Sequence, residues 1–323
     1  MMRAVGGQAI GASPETRGSG TGTVSVVIPS YNHAKFVSAA IESVFRQTYR
    51  PLELIILDDG STDESDSMIR RTIEGAPIPV VYEAHSNMGL PRTLNKGIGM
   101  ARGTWISFLA SDDYYYPQKT AAQVVTAGET GAKLVVSWAP KLRPDGSLIE
   151  HPREEFLRLR EAHGRAALRR YMLDNVSGFS WQALLAHRSF FEAAGEYDPA
   201  IYTEDFDFSL RAAGLLREEI AFLDLPVALH REREQARHPR ELTERARKSQ
   251  LKVLRKHTNS PWDRRVGRAT IEITHGLWLV THGFVGGGFW SLLKGAVLDP
   301  LNSQLWGRVL GKLRRSIWPR VSS

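Results

Sequence analysis

Two pairs of adjacent carboxylates follow apolar runs in this 323-residue chain. Trp105, Ile106, Phe108 and Leu109 lead through Ala110-Ser111 into Asp112-Asp113, with Tyr114-Tyr115-Tyr116-Pro117 beyond. Leu52 to Leu57 leads into Asp58-Asp59-Gly60-Ser61-Thr62-Asp63. Side-by-side carboxylates repel each other unless a proton or a cation sits between them. At Asp112-Asp113, a hard divalent ion such as Mg²⁺ or Mn²⁺ suits such oxygen donors and commonly bridges to a substrate diphosphate. The plainer alternative is an Asp-Asp that caps a helix in a surface loop, and one pair alone does not separate the two readings.

The elements around the pairs supply the context. Runs without polar alternation read as strands buried on both faces, as in parallel sheets covered by helices. Thr23–Ile28, Leu52–Leu57, Pro79–Tyr82 and the run before Asp112 are the expected strands. Pro29-Ser30-Tyr31-Asn32 should end the first. Helices are expected over about 34–47, after Asp63, and from Asn87-Met88-Gly89 to about Ala101. Strand then helix, repeated, with polar residues at each strand's carboxyl end, predicts a doubly wound α/β sheet. In such a sheet, ligands bind outside the strands' carboxyl ends. No G-x-G-x-x-G follows the first strand and no G-K-[ST] loop is present, so dinucleotide and P-loop sites are excluded. Tyr31, Asp58-Asp59 and Asp112-Asp113 should instead share one crevice.

With 42% hydrophobic and 24% charged residues, the composition is that of a globular protein. There is no cysteine, which excludes disulfides, thiolate catalysis and iron–sulfur clusters. A net charge of +7 suits an anionic partner. Residues 1–22 read as a disordered leader without the apolar core of a secretion signal.

Val24-Ser25-Val26-Val27-Ile28-Pro29-Ser30-Tyr31-Asn32, Leu57 to Asp63, Asn87-Met88-Gly89 and Ser111-Asp112-Asp113, in that order, resemble a family 2 glycosyltransferase with the GT-A fold. The resemblance implies a mostly parallel sheet flanked by helices, with a nucleotide-binding half over 23–117 and an acceptor half over 118–235. It implies that Tyr31 stacks on uracil and that Asp59 hydrogen-bonds the base. Pro29, Asn87, Gly89 and Arg92 would line the nucleotide crevice. Asp112 would meet the ribose or the metal, and Asp113 would bind Mn²⁺ or Mg²⁺ directly. His230, at the end of a strand over Val227–His230, would lie near the metal or diphosphate, or be merely structural. The commonest pattern has another Asp where Ala110 stands, which leaves the metal fewer carboxylates.

Further on, Gly195-Glu196-Tyr197-Asp198 and Thr203-Glu204-Asp205-Phe206-Asp207 resemble the acceptor half, in which the residue matching Asp205 is the general base. A carboxylate beside a poorly nucleophilic hydroxyl takes its proton as the new bond forms. Glu204 and Asp207 are close rivals, and acidic residues also favour a helix's first turn for electrostatic reasons alone. Between these landmarks, helices are expected over about 117–127 and 154–171, and strands over 132–138 and 180–186.

The stretch 236–323 is expected to form a helical extension. Arg231–Lys256 reads as a long solvated helix with Leu251 and Leu254 inside. Ile273–Leu293 holds 21 consecutive residues without Asp, Glu, Lys or Arg, and Gly286-Gly287-Gly288 should bend it into a hairpin of two short helices. Leu301–Trp318 spaces Leu305, Val309, Leu313 and Ile317 four apart among basic residues, as in a helix lying on an anionic leaflet. The expected protein is therefore a metal-dependent inverting glycosyltransferase, cytoplasmic and held peripherally at the inner face of the cell membrane. It would use a nucleotide-sugar, expected to be a UDP-sugar, and a saccharide or lipid-linked acceptor. The alternative is a catalytically silent GT-A-like binding module. Nucleic acid is not an expected partner, because the basic residues alternate with Glu and carry no binding motif; an oligomer is compatible with the sequence.

Overall fold

This computed structural model describes residues 22–149, 151–162, 167–169, 171–172, 179–215, 219–232, 239–300 and 307. A seven-stranded sheet organises it. The strands are β1 (Val24–Ser30), β2 (Glu53–Asp58), β3 (Val80–Ala84), β4 (Trp105–Phe108), β6 (Leu134–Trp138), β9 (Leu184–His187) and β10 (Ile220–Pro226). Their spatial order is β10-β6-β9-β4-β1-β2-β3. β1 pairs in parallel with β2 and β4, β2 with β3, and β6 with β10. Only β9, inserted between β4 and β6, runs the other way. The carboxyl ends of β1, β2 and β4 therefore lie together at one edge.

The missing polar alternation has its cause in two-sided burial. Val27, Ile55, Leu57, Ile106 and Phe108 enter one core, under α3 (Leu90–Met100), α6 (Arg188–Ala194) and α7 (Glu204–Leu215). Val24, Val26, Ile28, Leu54 and Ile56 enter the other, under α1 (Val37–Phe45), α2 (Ser65–Ile73) and α4 (Lys119–Thr130). Fully burying each Leu, Ile or Val contributes roughly 1.5–3 kcal/mol, so both faces of the central strands hold the sheet in one register.

A second sheet of four short strands has the order β5-β11-β7-β8: β5 (Tyr114–Tyr115), β11 (Ala228–Arg231), β7 (Lys141–Leu142) and β8 (Leu148–Ile149). Only β11, at the strand expected to end in Val227–His230, was foreseen; the sheet itself was not. β10 and β11 would read as one strand, but the chain changes sheets at Val227. That change lays β11 antiparallel to β5, directly after Asp112-Asp113.

Several expected boundaries are corrected. The first strand continues through Pro29 to Ser30, and the third covers Val80–Ala84. Residues 181–183 form a 3₁₀ turn before β9. Arg231 belongs to β11, and the charged helix is α8 (Pro239–His257). Leu254 of α8 is buried and Leu251 packs beside it, as expected. The helix expected over 154–171 is α5 (His151–Glu161), with Phe156 against Phe222 of β10.

The C-terminal hairpin also differs from expectation. Its helices, α9 (Pro261–Thr281) and α10 (Val285–Leu298), are long, and the bend falls at Gly283, whose φ is +84°. Gly286-Gly287-Gly288 lies inside α10. A Cβ on Gly288 would stand 2.8 Å from the Gly276 carbonyl oxygen of α9, and one on Gly295 would stand 2.3 Å from Ile273. The glycines thus permit close approach of two helices and do not bend one. Residues 1–21, and 301–318 apart from Gly307, lie outside the described residues.

Candidate active site

The strand ends are tied into one surface by hydrogen bonds. Ser30 pairs with Asp58, and the Asp59 amide donates to the Ser30 carbonyl at 2.8 Å. Asn32, at φ +54°, donates its amide to Ser61 Oγ and accepts from the Thr62 amide at 2.7 Å. His33 Nδ1 meets Ser111 Oγ at 2.8 Å, and its Nε2 lies 3.6 Å from Asp112. Tyr31 projects from the middle of this web and is about half exposed. An open aromatic face beside acidic loops is what a flat base can stack on.

Pro29 acts through the sheet. The carbonyls of Thr23 and Val27 accept from the amides of Trp105 and Leu109, so odd positions of β1 face β4. Pro29's absent N–H falls on that side, and the β1–β4 ladder stops there. The chain after Leu109 is then free to turn through Ala110-Ser111-Asp112-Asp113, closed by the Asp113 amide donating to the Ala110 carbonyl at 3.0 Å.

The buried carboxylates of Asp59 and Asp113 have assigned donors. Asp59 accepts from the amides of Met88 at 2.7 Å and Gly89 at 3.0 Å, locking the β2 end to the start of α3. Gly60, at φ +76°, makes the turn that leaves β2 toward α2; a Cβ there would stand 2.7 Å from the Asn87 amide nitrogen. Asn87 is exposed, Gly89 precedes α3, and exposed Arg92 donates to the Met88 carbonyl at 3.3 Å, so these three border Asp59. Asp113 accepts from the Arg231 amide at 2.7 Å and from His230 Nδ1 at 3.1 Å. Arg231 also donates to the Asp112 carbonyl at 3.1 Å and spreads over the Phe36 ring.

His33 and Arg231 are thus functional candidates that the sequence pattern did not single out. Both adjoin residues that it did, Tyr31-Asn32 and His230, and that adjacency was the available signal. His85, 3.5 Å from Asp59, had none.

The acceptor-side acids differ. Asp207 is excluded as a base. It is buried and ion-paired with Arg211 at 2.9 Å, His257 at 2.6 Å and Lys256 at 3.4 Å. Burial opposes its charge, but the His257 hydrogen bond and these cations hold its carboxyl below the usual range. Glu204 and Asp205 stand at the start of α7 with few donors. The surrounding protein mass, then the neighbouring Asp205 charge, push Glu204 up to about 8. Asp205 is raised for the first reason, although its side chain opens to solvent and accepts from the Phe206 amide at 2.7 Å.

No described hydrogen bond joins Asp205 to the strand ends; a run of rings connects the two blocks. Phe108 of β4 meets Trp181 at 5.0 Å between centroids, Trp181 meets Tyr197 at 5.4 Å, and Tyr197 stacks on Phe208 of α7 at 6.0 Å. Asn95 of α3 also exchanges two hydrogen bonds with the backbone of Tyr197. Close-packed rings resist displacement, so α7 is fixed relative to the strand that leads into Asp112-Asp113.

The structure tests the divalent ion through its donors. Among the described residues, no three His, Asp or Glu side chains are preassembled around a cation position. Asp112, Asp113 and the part-exposed His230 are nevertheless hard oxygen and imidazole donors in one turn and its neighbouring strand. Mg²⁺ and Mn²⁺ sites of this kind use one or two carboxylates and take their remaining ligands from substrate phosphates and water. The residues fit such an ion.

Known proteins share this architecture. TarS of S. aureus, residues 1–349 in complex with UDP-GlcNAc, superposes with a TM-score of 0.59 at 17% identity, covering 91% of this chain and 81% of that one. The mannosyltransferase PcManGT of Pyrobaculum calidifontis, in complex with GDP-Man and Mn²⁺, gives 0.55 at 15%, covering 93% and 88%. Both likenesses concern the fold. In sequence, EpsH of Bacillus subtilis (strain 168), a chain named as a glycosyltransferase, is 27% identical over 65% of this chain and 61% of its own. A PGL/p-HBAD biosynthesis glycosyltransferase of Mycobacterium bovis is 33% identical over 31% of this chain and 39% of its own. The matches thus span less than two thirds of these curated relatives. The sequence model of glycosyl transferase family 2 matches residues 25–194, more than half of the chain. With a GT-A sheet whose acidic turns lie at one edge, the chain belongs to glycosyl transferase family 2.

Proposed function

We propose that this protein is a metal-dependent inverting glycosyltransferase. It moves a sugar from a nucleotide-sugar, a UDP-sugar in this reading, to a hydroxyl of a saccharide or lipid-linked acceptor in cell-surface glycan synthesis. The observation that carries the reading is the gathering of the β1, β2 and β4 ends into one hydrogen-bonded surface, with Asp205 fixed across an aromatic bridge. Family membership and neighbours solved with UDP-GlcNAc and GDP-Man support a nucleotide-sugar donor.

In this reading the uracil stacks on Tyr31. Asp59 has both oxygens engaged by amides, yet each retains a lone pair toward the base N–H. Asn87, Gly89 and Arg92 close that side. Asp112, Asp113 and His230 hold Mn²⁺ or Mg²⁺, which supplies Lewis-acid neutralisation of the diphosphate leaving group. Arg231 braces the turn that carries both aspartates. Asp205 takes the acceptor's hydroxyl proton as the oxygen attacks the anomeric carbon opposite the leaving group. One displacement inverts that carbon.

The test is a screen of UDP- and GDP-sugars for transfer or hydrolysis, with Mn²⁺ or Mg²⁺ and after exhaustive chelation. The expected outcome is UDP release with one UDP-sugar, abolished by chelation and restored by Mn²⁺. Activity that survives chelation removes the metal role of Asp113. Ala110 favours the silent binding module as a second reading; nucleotide binding without release from any donor would select it.

A further inference from the structure

The second helix of the C-terminal hairpin, α10, carries large apolar residues on its outer side. In α10, the side packed on α9 is Gly288, Ser291 and Gly295, all buried. The opposite side carries Val285, Phe289, Trp290, Leu293 and Val297, each between 41% and 72% exposed. At about 100° per residue these five fall within roughly 140° of arc, a single stripe. A water-facing helix has the reverse pattern, large apolar groups inward and polar groups outward. Small residues between helices with large apolar ones outward suit an apolar surrounding. Contiguous exposed apolar surface on this scale marks an interaction site.

The geometry points to the surface of an anionic lipid bilayer as what covers this stripe. Spanning is excluded for α10: 14 residues rise about 21 Å against a hydrocarbon core of about 30 Å. No helix among the described residues is long and apolar enough to cross a membrane. A helix lying in the interface needs only an apolar face with cations at its margins. Those margins are present. Arg240 stacks on Phe284 at the stripe's first end, Lys294 is exposed at its edge, and Arg265 binds the Leu298 carbonyl at its last end. Trp262, more than half exposed, lies under Arg265 and suits the headgroup level.

Charge favours this occupant over a second copy of the chain. If two stripes paired about a twofold axis in antiparallel fashion, the Arg240 end of one would meet the Arg265 end of the other, cation against cation. An anionic leaflet attracts all of them. In sequence, the segment after Asp299 is basic as well: residues 300–323 contain Arg308, Lys312, Arg314, Arg315 and Arg320 and no acidic residue. The docking face stands independently of the sugar-transfer reading.

The experiment is co-sedimentation of the full chain with vesicles of phosphatidylcholine alone or mixed with phosphatidylglycerol. Binding to the anionic vesicles should exceed binding to neutral ones at least fivefold. Phe289→Ser with Trp290→Ser should lower it at least tenfold, and both positions are exposed enough to leave the thermal melt unchanged. Lys294→Glu with Arg265→Glu should erase the preference for anionic lipid. The proposal is overturned if the wild type does not pellet with anionic vesicles, or if the double Ser variant pellets undiminished. It is overturned in favour of a second copy if the wild type sediments as a dimer without lipid and the double Ser variant as a monomer.

Discussion

The strand-end aspartates and the Glu204-Asp205 pair are both clustered carboxylates, built in opposite ways. Asp59 and Asp113 are buried, and each accepts two hydrogen bonds, from Met88 and Gly89 or from His230 and Arg231. Their oxygens are aimed. Glu204 and Asp205 stand at a helix start, where Asp205 accepts one amide and the surrounding protein raises both acids. Carboxylates anchored by two donors hold shape; carboxylates short of donors hold protons. The first arrangement suits binding, the second proton transfer.

The largest expected effect tests that division directly. Asp205→Asn should lower kcat about 10²- to 10⁴-fold, the range for losing a general base. Nucleotide affinity, read by calorimetry with UDP, should stay within about twofold. Retained turnover would move the base to Glu204, since Asp207 is committed to Arg211, Lys256 and His257.

An intermediate effect is expected at Asp59. Asp59→Ala strands the Met88 and Gly89 amides, at about 1–3 kcal/mol for each unpaired donor. The melting temperature should fall and the KM for the donor should rise. Asp59→Asn keeps one carbonyl oxygen and should recover part of the stability. If both variants melt like the wild type, the two carboxylate groups are not built differently after all.

How far the sequence revealed this contrast follows from what each feature depends on. The parallel core was legible because two-sided burial leaves uninterrupted apolar runs such as Leu54-Ile55-Ile56-Leu57. The strand-end acids were legible because the apolar runs end at them and Gly60 marks a turn. β9 reads the same in either direction, so its reversal was hidden. β5, β7, β8 and β11 are only two to four residues long and take their pairing from tertiary contacts. Hence the partnership of Arg231 with Asp112 and Asp113, 119 and 118 residues away, left no local trace. Glycine spacing in α10 carried two meanings, bending and close packing, and only the neighbouring helix decides between them. The inward turn of Asp207 was likewise invisible, because the spacing of 204, 205 and 207 in a first helical turn does not say which acid meets the core cations.

The smallest expected effect concerns Glu204. Its folded-state carboxyl titrates at about 8, against an ordinary 4.5. The folded protein therefore holds this proton more tightly than the unfolded chain. That contribution to stability is complete below about pH 4.5 and is lost as pH rises toward 8. Glu204→Gln removes the loss. Its melting temperature should match the wild type's at pH 5 and exceed it at pH 9, by about 1 kcal/mol equivalent once solvent screening of a part-exposed carboxylate is allowed for. The same variant sharpens the assignment of the base. If Asp205 takes the proton, Glu204→Gln leaves the acidic limb of the kcat/KM profile in place and alters activity only above about pH 8, where wild-type Glu204 gains its charge beside Asp205. If the acidic limb itself lies near 8 and vanishes in the variant, Glu204 is the group that must ionise, and the two acids exchange roles.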